Sequence, residues 1–302
     1  MSGAERMPEA AHVREGGVGG APAAVGVLGG GRMGAGIAHA FLLAGSRVTV
    51  VERDTDAAEA AARRVRDAVA VSIERGTADE AAGAYNARFA TSTEVGDFAA
   101  CGLVVEAVPE ELSLKADALT RVEAVLAPDA ALATNTSSIS VDELAALLDR
   151  PQRFLGMHFF NPVPASALVE LVRGDATDAT LVVEAQSWVQ ALGKTPIVVA
   201  DAPGFASSRL GVALGLEAIR MLEAGVASAE DIDRAMTLGY KHPVGPLRLT
   251  DLVGLDVRLG IAEYLASTLG ERFEPPALLR RMVAEGRLGR KSGEGFYLWD
   301  AP

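Results

Sequence analysis

A histidine and a glutamate stand twelve residues apart in "GMHFFNPVPASALVELV", residues 156–172. His158 closes one apolar run, Glu170 lies inside a second, and "NPVP" between them reads as a Pro-bracketed turn. If the two runs are strands that pair back on each other, the carboxylate comes beside the imidazole. A carboxylate there fixes the ring tautomer and stabilises the imidazolium formed when the ring takes a proton. That is the equipment of a general base. The same residues also fit a structural role, with His158 satisfied at a strand end and Glu170 facing solvent on an edge strand. Burying Glu170 without a partner would be costly, so the catalytic reading demands a charged or hydrogen-bonding neighbour. No H-x-x-x-H and no cysteine pair accompanies them, which argues against a metal site.

A proton acceptor of this kind needs a redox partner, and a second motif offers one. "VGVLGGGRMGAG" holds Gly29, Gly31 and Gly34 in G-x-G-x-x-G spacing, with Arg32 and Met33 inside the motif. The first glycine permits a tight turn, the second lets backbone approach a pyrophosphate, and the third lets helix pack closely on strand. The helix N-terminus then turns free N–H groups and its positive dipole end toward phosphate. Glu52 ends the next strand, about 20 residues on, where a ribose diol is bound in such sites. A carboxylate there repels a 2′-phosphate and favours NAD. Arg53 beside it either attracts that phosphate or is a solvated surface residue, so NADP stays as the alternative cofactor.

Strand ends of an open α/β sheet must gather these groups. "AAVGVLG" reads as a strand and "MGAGIAHAFLLAG" as a helix stopping at Gly45. "RVTVVERD" is a second strand, followed by a helix over 56–75 and a short strand "RFATST". "CGLVVEAVPE" is a firmer strand with a helix from Ser113 to Leu126, and "AALATNTSS" is a strand leading into the helix "VDELAALLD". This alternation predicts a Rossmann-type, mostly parallel α/β sheet. Asn135, Ser137 and Ser138 follow one strand, His158 and Asn161 another, and Glu106 and Glu110 a third. All fall where a crevice forms outside the carboxyl ends of the strands. After Arg150 the pattern becomes two strands joined by a short loop, then a helix over 178–192 and the strand "TPIVVAD". "DAPG", 201–204, punctuates the chain, and helical periodicity covers 205–224, 228–238, 246–268 and 276–285. The spacing predicts a dinucleotide-binding domain over 23–200 and an all-helical domain over 201–302.

Composition narrows the setting. The chain has 302 residues, is 49% hydrophobic and carries a formal charge of −12. It can bury a large core, and its charge argues against general binding of nucleic acid or acidic membranes. Cys101 is the only cysteine, so neither an intrachain disulfide nor a cysteine metal cluster fits. Residues 1–22 are rich in Gly, Ala and charge and read as a disordered tail without the apolar core of a signal peptide. No apolar run of about 18 residues is free of polar breaks, so no membrane span is expected and a soluble, cytoplasmic protein is the default.

Taken in order, "GGGRMGAGIA", "VVEAVPE", "NTSSIS", "HFFNPVP", "LVELV", "LGKTPIVVADAPGF", "DIDRAMTLGYKHPVGPL", "TDLVGLDV" and "GRKSGEGFY" closely resemble the L-3-hydroxyacyl-CoA dehydrogenase family. The likeness is especially to its bacterial 3-hydroxybutyryl-CoA dehydrogenase branch, and it runs from about Val25 to Trp299. The resemblance implies an acyl-CoA substrate and a homodimer formed through the helical domain. It implies that His158 is the general base for the 3-hydroxyl proton and that Glu170 orients and charges it. Ser137 would hydrogen-bond the reacting oxygen, and Asn161 would help position nicotinamide or substrate. Glu110 and Lys115 would lie near the nicotinamide ribose, and Asn135 would line the same groove.

One departure stands out. The family commonly has "PGF", two apolar residues and then "NR", whereas this chain reads "PGFASSRL", with Ser208 at the asparagine position. A serine offers one hydroxyl where the amide offers two donors and an acceptor. Arg63, Arg64 and Arg66 match a basic helical segment that lies near CoA in relatives, and they equally fit an exposed helix face. Two rivals remain at this point. One is a related 3-hydroxyacid dehydrogenase: the lysine-based type lacks its helix-borne lysine here, and "HFFNPVP" and "LVELV" weigh against the gulonate and carnitine types. The other is a non-catalytic NAD-binding redox sensor.

Overall fold

Apolar β-branched runs make the strands, and those at the centre of the sheet are buried on both faces, as parallel strands between helix layers must be, while the edge strands are not. The computed structural model describes residues 20–300. Its strands are β1 (Ala24–Leu28), β2 (Arg47–Val51), β3 (Phe89–Ser92), β4 (Leu103–Glu106), β5 (Ala131–Thr134), β6 (Phe154–Phe159), β7 (Leu168–Arg173) and β8 (Thr195–Ala200). They form one sheet in the order β3-β2-β1-β4-β5-β6-β7-β8. The first six run parallel, β7 turns back against β6, and β8 runs parallel to β7. The strand order reverses between β1 and β4, which opens the crevice where a doubly wound fold takes a dinucleotide.

The helices of this part are α1 (Arg32–Leu43), α2 (Thr55–Glu74), α3 (Ala82–Ala87), α4 (Leu112–Glu123), α5 (Val141–Ala145) and α6 (Ala179–Ala191). Ile37, Phe41, Val65 and Val189 from α1, α2 and α6 pack on one face of the sheet. Leu119, Val122 and Leu144 from α4 and α5 cover the other. Beyond β8 come α7 (Ser207–Glu223), α8 (Ala229–Arg234), α9 (Pro246–Val253), α10 (Leu255–Leu269) and α11 (Ala277–Ala284). They close a separate core around Val212, Leu216, Leu247, Leu265 and Leu279.

Three details differ from the periodicity. The helix expected over 246–268 is two helices, because Gly254 takes φ +107 and turns the chain between α9 and α10. The 228–238 segment is α8 followed by one π turn, Ala235–Gly239. The short α3 was not anticipated; Tyr85 is its single buried anchor, too little to give a helical period. The tail expected over 1–22 lies outside the described residues as far as position 19. Among the described residues no helix is long and apolar enough to cross a membrane, and no group of three or more His, Cys, Asp or Glu is placed to hold a metal.

Candidate active site

The glycine loop follows β1 and opens α1, and each glycine has its own reason. Gly29 sits at φ +92, and a side-chain carbon there would lie 2.9 Å from the Ala107 carbonyl oxygen. A carbon on Gly34 would lie 1.8 Å from the Gly29 carbonyl oxygen, so helix and loop touch through it. Gly31 faces open space, which leaves room for a pyrophosphate against its backbone. Arg32 is exposed and Met33 half-buried in the first turn of α1. Glu52 is held beside the loop: its Oε1 accepts the Gly30 N–H at 2.7 Å and its Oε2 accepts the Arg53 N–H at 3.2 Å. Arg64 donates from Nη1 to the Gly30 carbonyl at 3.3 Å, while Arg63 and Arg66 are exposed. The Arg53 side chain points into solvent and bonds Asp54, the N-cap of α2. Open backbone at Gly31, free N–H groups on α1 and a fixed carboxylate at Glu52 fit NAD.

A buried charge network underlies the next strand ends. Lys115 is 1% exposed and its Nζ reaches Glu106 Oε1 at 2.8 Å, Glu110 Oε2 at 3.3 Å and the Val108 carbonyl at 3.3 Å. Glu106 does not face the crevice as its strand-end position suggested. It is fully buried and spent on Lys115, the Val108 N–H and the Thr134 hydroxyl. Glu110 does reach the crevice loop. Its Oε1 accepts the Thr136 hydroxyl at 2.6 Å, the Ser137 N–H at 2.8 Å and the Ser138 N–H at 3.1 Å. The Ser137 hydroxyl reaches the same oxygen at 3.3 Å. Burial pushes the Glu110 carboxyl up, but Lys115, Thr136 and Ser137 together hold it below the ordinary glutamate value. The Lys115 ammonium is thus spent on Glu106, Glu110 and the Val108 carbonyl.

The histidine and glutamate do meet. β6 and β7 pair antiparallel with His158 directly opposite Glu170, a register that puts both side chains on one face. His158 Nδ1 lies 2.8 Å from Glu170 Oε2. With Glu170 ionised, Nδ1 carries the ring proton, and Nε2 is the nitrogen without a protein partner among the described residues. The Phe160 and Phe205 rings lie 4.4 and 5.9 Å from the imidazole. Glu170 is fully buried. Burial raises its carboxyl, yet hydrogen bonds from His158 and Ser207 hold it below the ordinary range. Asn135 ties the neighbouring strand end to this one, its Oδ1 accepting the Phe159 N–H at 2.9 Å. Asn161 is exposed and leads through a cis peptide into Pro162.

The 3-hydroxyacyl-CoA dehydrogenase NAD binding domain matches residues 24–202, and the C-terminal domain of the same enzymes matches residues 204–299. The chain belongs to the 3-hydroxyacyl-CoA dehydrogenase family. This dehydrogenase is similar to the 3-hydroxybutyryl-CoA dehydrogenase of Mycobacterium tuberculosis, at 42% identity over 287 residues, 91% of this chain and 98% of that one. It is 37% identical over 282 residues to the mitochondrial hydroxyacyl-coenzyme A dehydrogenase of Homo sapiens, covering 90% of this chain and 89% of that one. The crystal structure of (S)-3-hydroxybutyryl-CoA dehydrogenase from Ralstonia eutropha superposes with a TM-score of 0.88 at 39% identity, over 93% of this chain and 100% of that one. The dehydrogenase is thus an NAD-dependent oxidoreductase of 3-hydroxyacyl-CoA, and a non-catalytic sensor is set aside.

Two residues of the dehydrogenase's site escaped the sequence reading. Ser208, at the family's asparagine position, is half-buried and makes no side-chain hydrogen bond among the described residues. Its neighbour Ser207 bonds Glu170 instead, through both its hydroxyl and its N–H. The signal was present, since Ser207 also falls on a position where "PGF" is ordinarily followed by apolar residues. Lys194 is the second: its Nζ donates to the Val163 and Ser166 carbonyls at 2.6 and 2.5 Å and clamps the loop that carries Asn161. Burial lowers the Lys194 ammonium below its ordinary value.

Proposed function

We propose that the enzyme interconverts (S)-3-hydroxybutyryl-CoA and acetoacetyl-CoA, with short acyl chains preferred and His158 and Glu170 as the acid/base pair. The observation that carries this reading is the 2.8 Å bond from His158 Nδ1 to buried Glu170, which leaves Nε2 for substrate. In oxidation, His158 Nε2 takes the 3-hydroxyl proton as the C3–H bond breaks. Bound NAD would accept the hydride that leaves C3. In reduction, His158 Nε2 returns the proton to the oxygen. Glu170 stabilises the imidazolium formed in between. The Ser137 hydroxyl hydrogen-bonds the reacting oxygen, and Asn161 and Ser208 help position the substrate. Gly29, Gly31, Arg32, Met33, Gly34 and Glu52 would hold the adenosine and pyrophosphate side of the cofactor, and Glu110 and Asn135 its nicotinamide ribose side, with Lys115 holding Glu110 in place.

Support for the short chain comes from relatives named 3-hydroxybutyryl-CoA dehydrogenases at about 40% identity along nearly the whole chain. Rates with C4 to C16 acyl-CoA esters, each with NADH and with NADPH, test the reading. Acetoacetyl-CoA with NADH is expected to be the fastest pair. Faster turnover of long esters, or of NADPH despite Glu52, would overturn that part.

The domains divide at "DAPG", 201–204, between the end of β8 and the start of α7. The helical part forms a homodimer in the cytoplasm. Leu210 on α7 and Val257 on α10 are 71% and 45% exposed, apolar surface that a second copy would cover. Light scattering is expected to give twice the mass of one chain, and a monomer at micromolar concentration would refute the dimer.

A further inference from the structure

We propose that Ser207 is a positioning residue that sets the proton affinity of the His158–Glu170 pair. The inference rests on the acid/base reading of His158 given above. Glu170 receives four donors. Its Oε2 accepts from His158 Nδ1 at 2.8 Å and from the Ser207 hydroxyl at 2.6 Å. Its Oε1 accepts from the Ser207 and Ala206 N–H groups at 2.8 and 3.2 Å. Three of the four therefore come from the start of α7, while histidine and glutamate both belong to the sheet. The acid/base pair and the cage around its carboxylate sit on different parts of the molecule.

The hydroxyl and the imidazole share one oxygen, and that sharing has a chemical consequence. An O–H donor at 2.6 Å from a carboxylate is a charge-assisted bond and draws negative charge off that oxygen. Glu170 then pulls less strongly on the imidazolium. Without the hydroxyl, the same carboxylate would concentrate its charge on His158 and hold the ring proton to higher pH. Glu110 is the other carboxylate at the crevice, and it is bonded to Ser137. Phe160 and Phe205 flank the ring, and Ile197 on β8 lies opposite Glu170. These three do not titrate, and His158 is the one cation paired with Glu170 among the described residues. The two backbone N–H donors are common to any residue at 206 and 207 other than proline, so the hydroxyl is what this side chain adds. Glu170 itself is fully buried, whereas Ser207 is half-buried.

The test compares the full-length protein with Ser207→Ala and Ser207→Thr. The titration of His158 is read by NMR from its ring C–H signals without substrate. The chain has four histidines, and His158→Gln identifies the signal. Ser207→Ala is expected to move the His158 titration upward by about half a pH unit or more, and Ser207→Thr to restore it. The acid limb of kcat/KM for oxidation should move by the same amount, with KM for NAD unchanged. If Ser207→Ala is not recovered folded, Ser207→Cys keeps the bulk with a weaker donor and is read the same way. A His158 titration that does not move on loss of the hydroxyl would overturn the proposal. So would a drop in activity with no movement of the acid limb. Absence of acyl-CoA turnover in the unaltered protein would instead sink the acid/base reading, leaving the NMR result to decide Ser207 alone.

Discussion

His158→Gln is expected to lower kcat for acetoacetyl-CoA reduction about 10²–10⁴-fold, the range that a positioned acid/base group supplies. Affinity for NADH should stay as it was, because the glycine loop and Glu52 lie on the far strands β1 and β2. Glutamine can still donate a hydrogen bond to Glu170 from its amide, so the carboxylate keeps a fourth donor beside the three from α7. The amide cannot give up a proton at neutral pH, so it can orient a ketone oxygen but not protonate it. Steady-state rates and NADH titration by fluorescence separate the two effects. A kcat within tenfold of the parent would remove His158 from the chemistry. A parallel loss of NADH affinity would point to a collapsed site.

Lys115→Met should cost about 3–5 kcal/mol of stability, the size expected when one member of a buried ion pair is deleted. Lys115 and Glu106 are 1% and 0% exposed, so the stranded carboxylate has no water to turn to. The Val108 N–H and the Thr134 hydroxyl still reach Glu106, but neither carries charge. Adding Glu106→Gln should recover part of the loss, because two neutral groups of similar size tolerate the same site. Glu110 gives the pH dependence its sign. Its folded carboxyl lies below the ordinary glutamate value, with Lys115 the foremost of the groups that lower it. Its contribution is whole above the unfolded value and fades as pH falls through the lower folded one. Losing Lys115 shrinks that contribution, so the gap between variant and parent should narrow toward acid. Urea midpoints at pH 7 and pH 4 measure both points. A loss near zero at pH 7 would show that Glu106 finds other compensation.

Activity and stability thus divide between neighbouring strand ends. Crevice residues Ser137 and Ser138 are held by Glu110, and Glu110 is held by buried Lys115. The likeness to relatives set Lys115 near the nicotinamide ribose, and the fold places its ammonium one carboxylate deeper. A buried residue that holds a crevice carboxylate and a residue that touches the ligand carry the same sequence signal. Burial alone separates the two roles.

Much was legible along the chain because the signals are local. The spacing of Gly29, Gly31 and Gly34 encodes a turn and a close approach within six residues. Alternating strand and helix periods encode a parallel sheet, since each apolar run can be buried only between helix layers. The turn in "NPVP" foretold that β7 folds back on β6. Other features depended on partners distant in the chain. A one-residue slip of β7 would have put Glu170 on the opposite face from His158, and only the observed register excludes it. Gly254 continues a helical apolar pattern, yet it takes φ +107 between α9 and α10. Ser207 meets Glu170 across 37 residues because α7 starts where β7 presents its carboxylate. Periodicity and turn chemistry are properties of short segments, so the sequence by itself determined the elements and the residue types able to do chemistry. Which donor meets which acceptor depends on strand register and on where one helix begins, and those are settled only when the whole core packs.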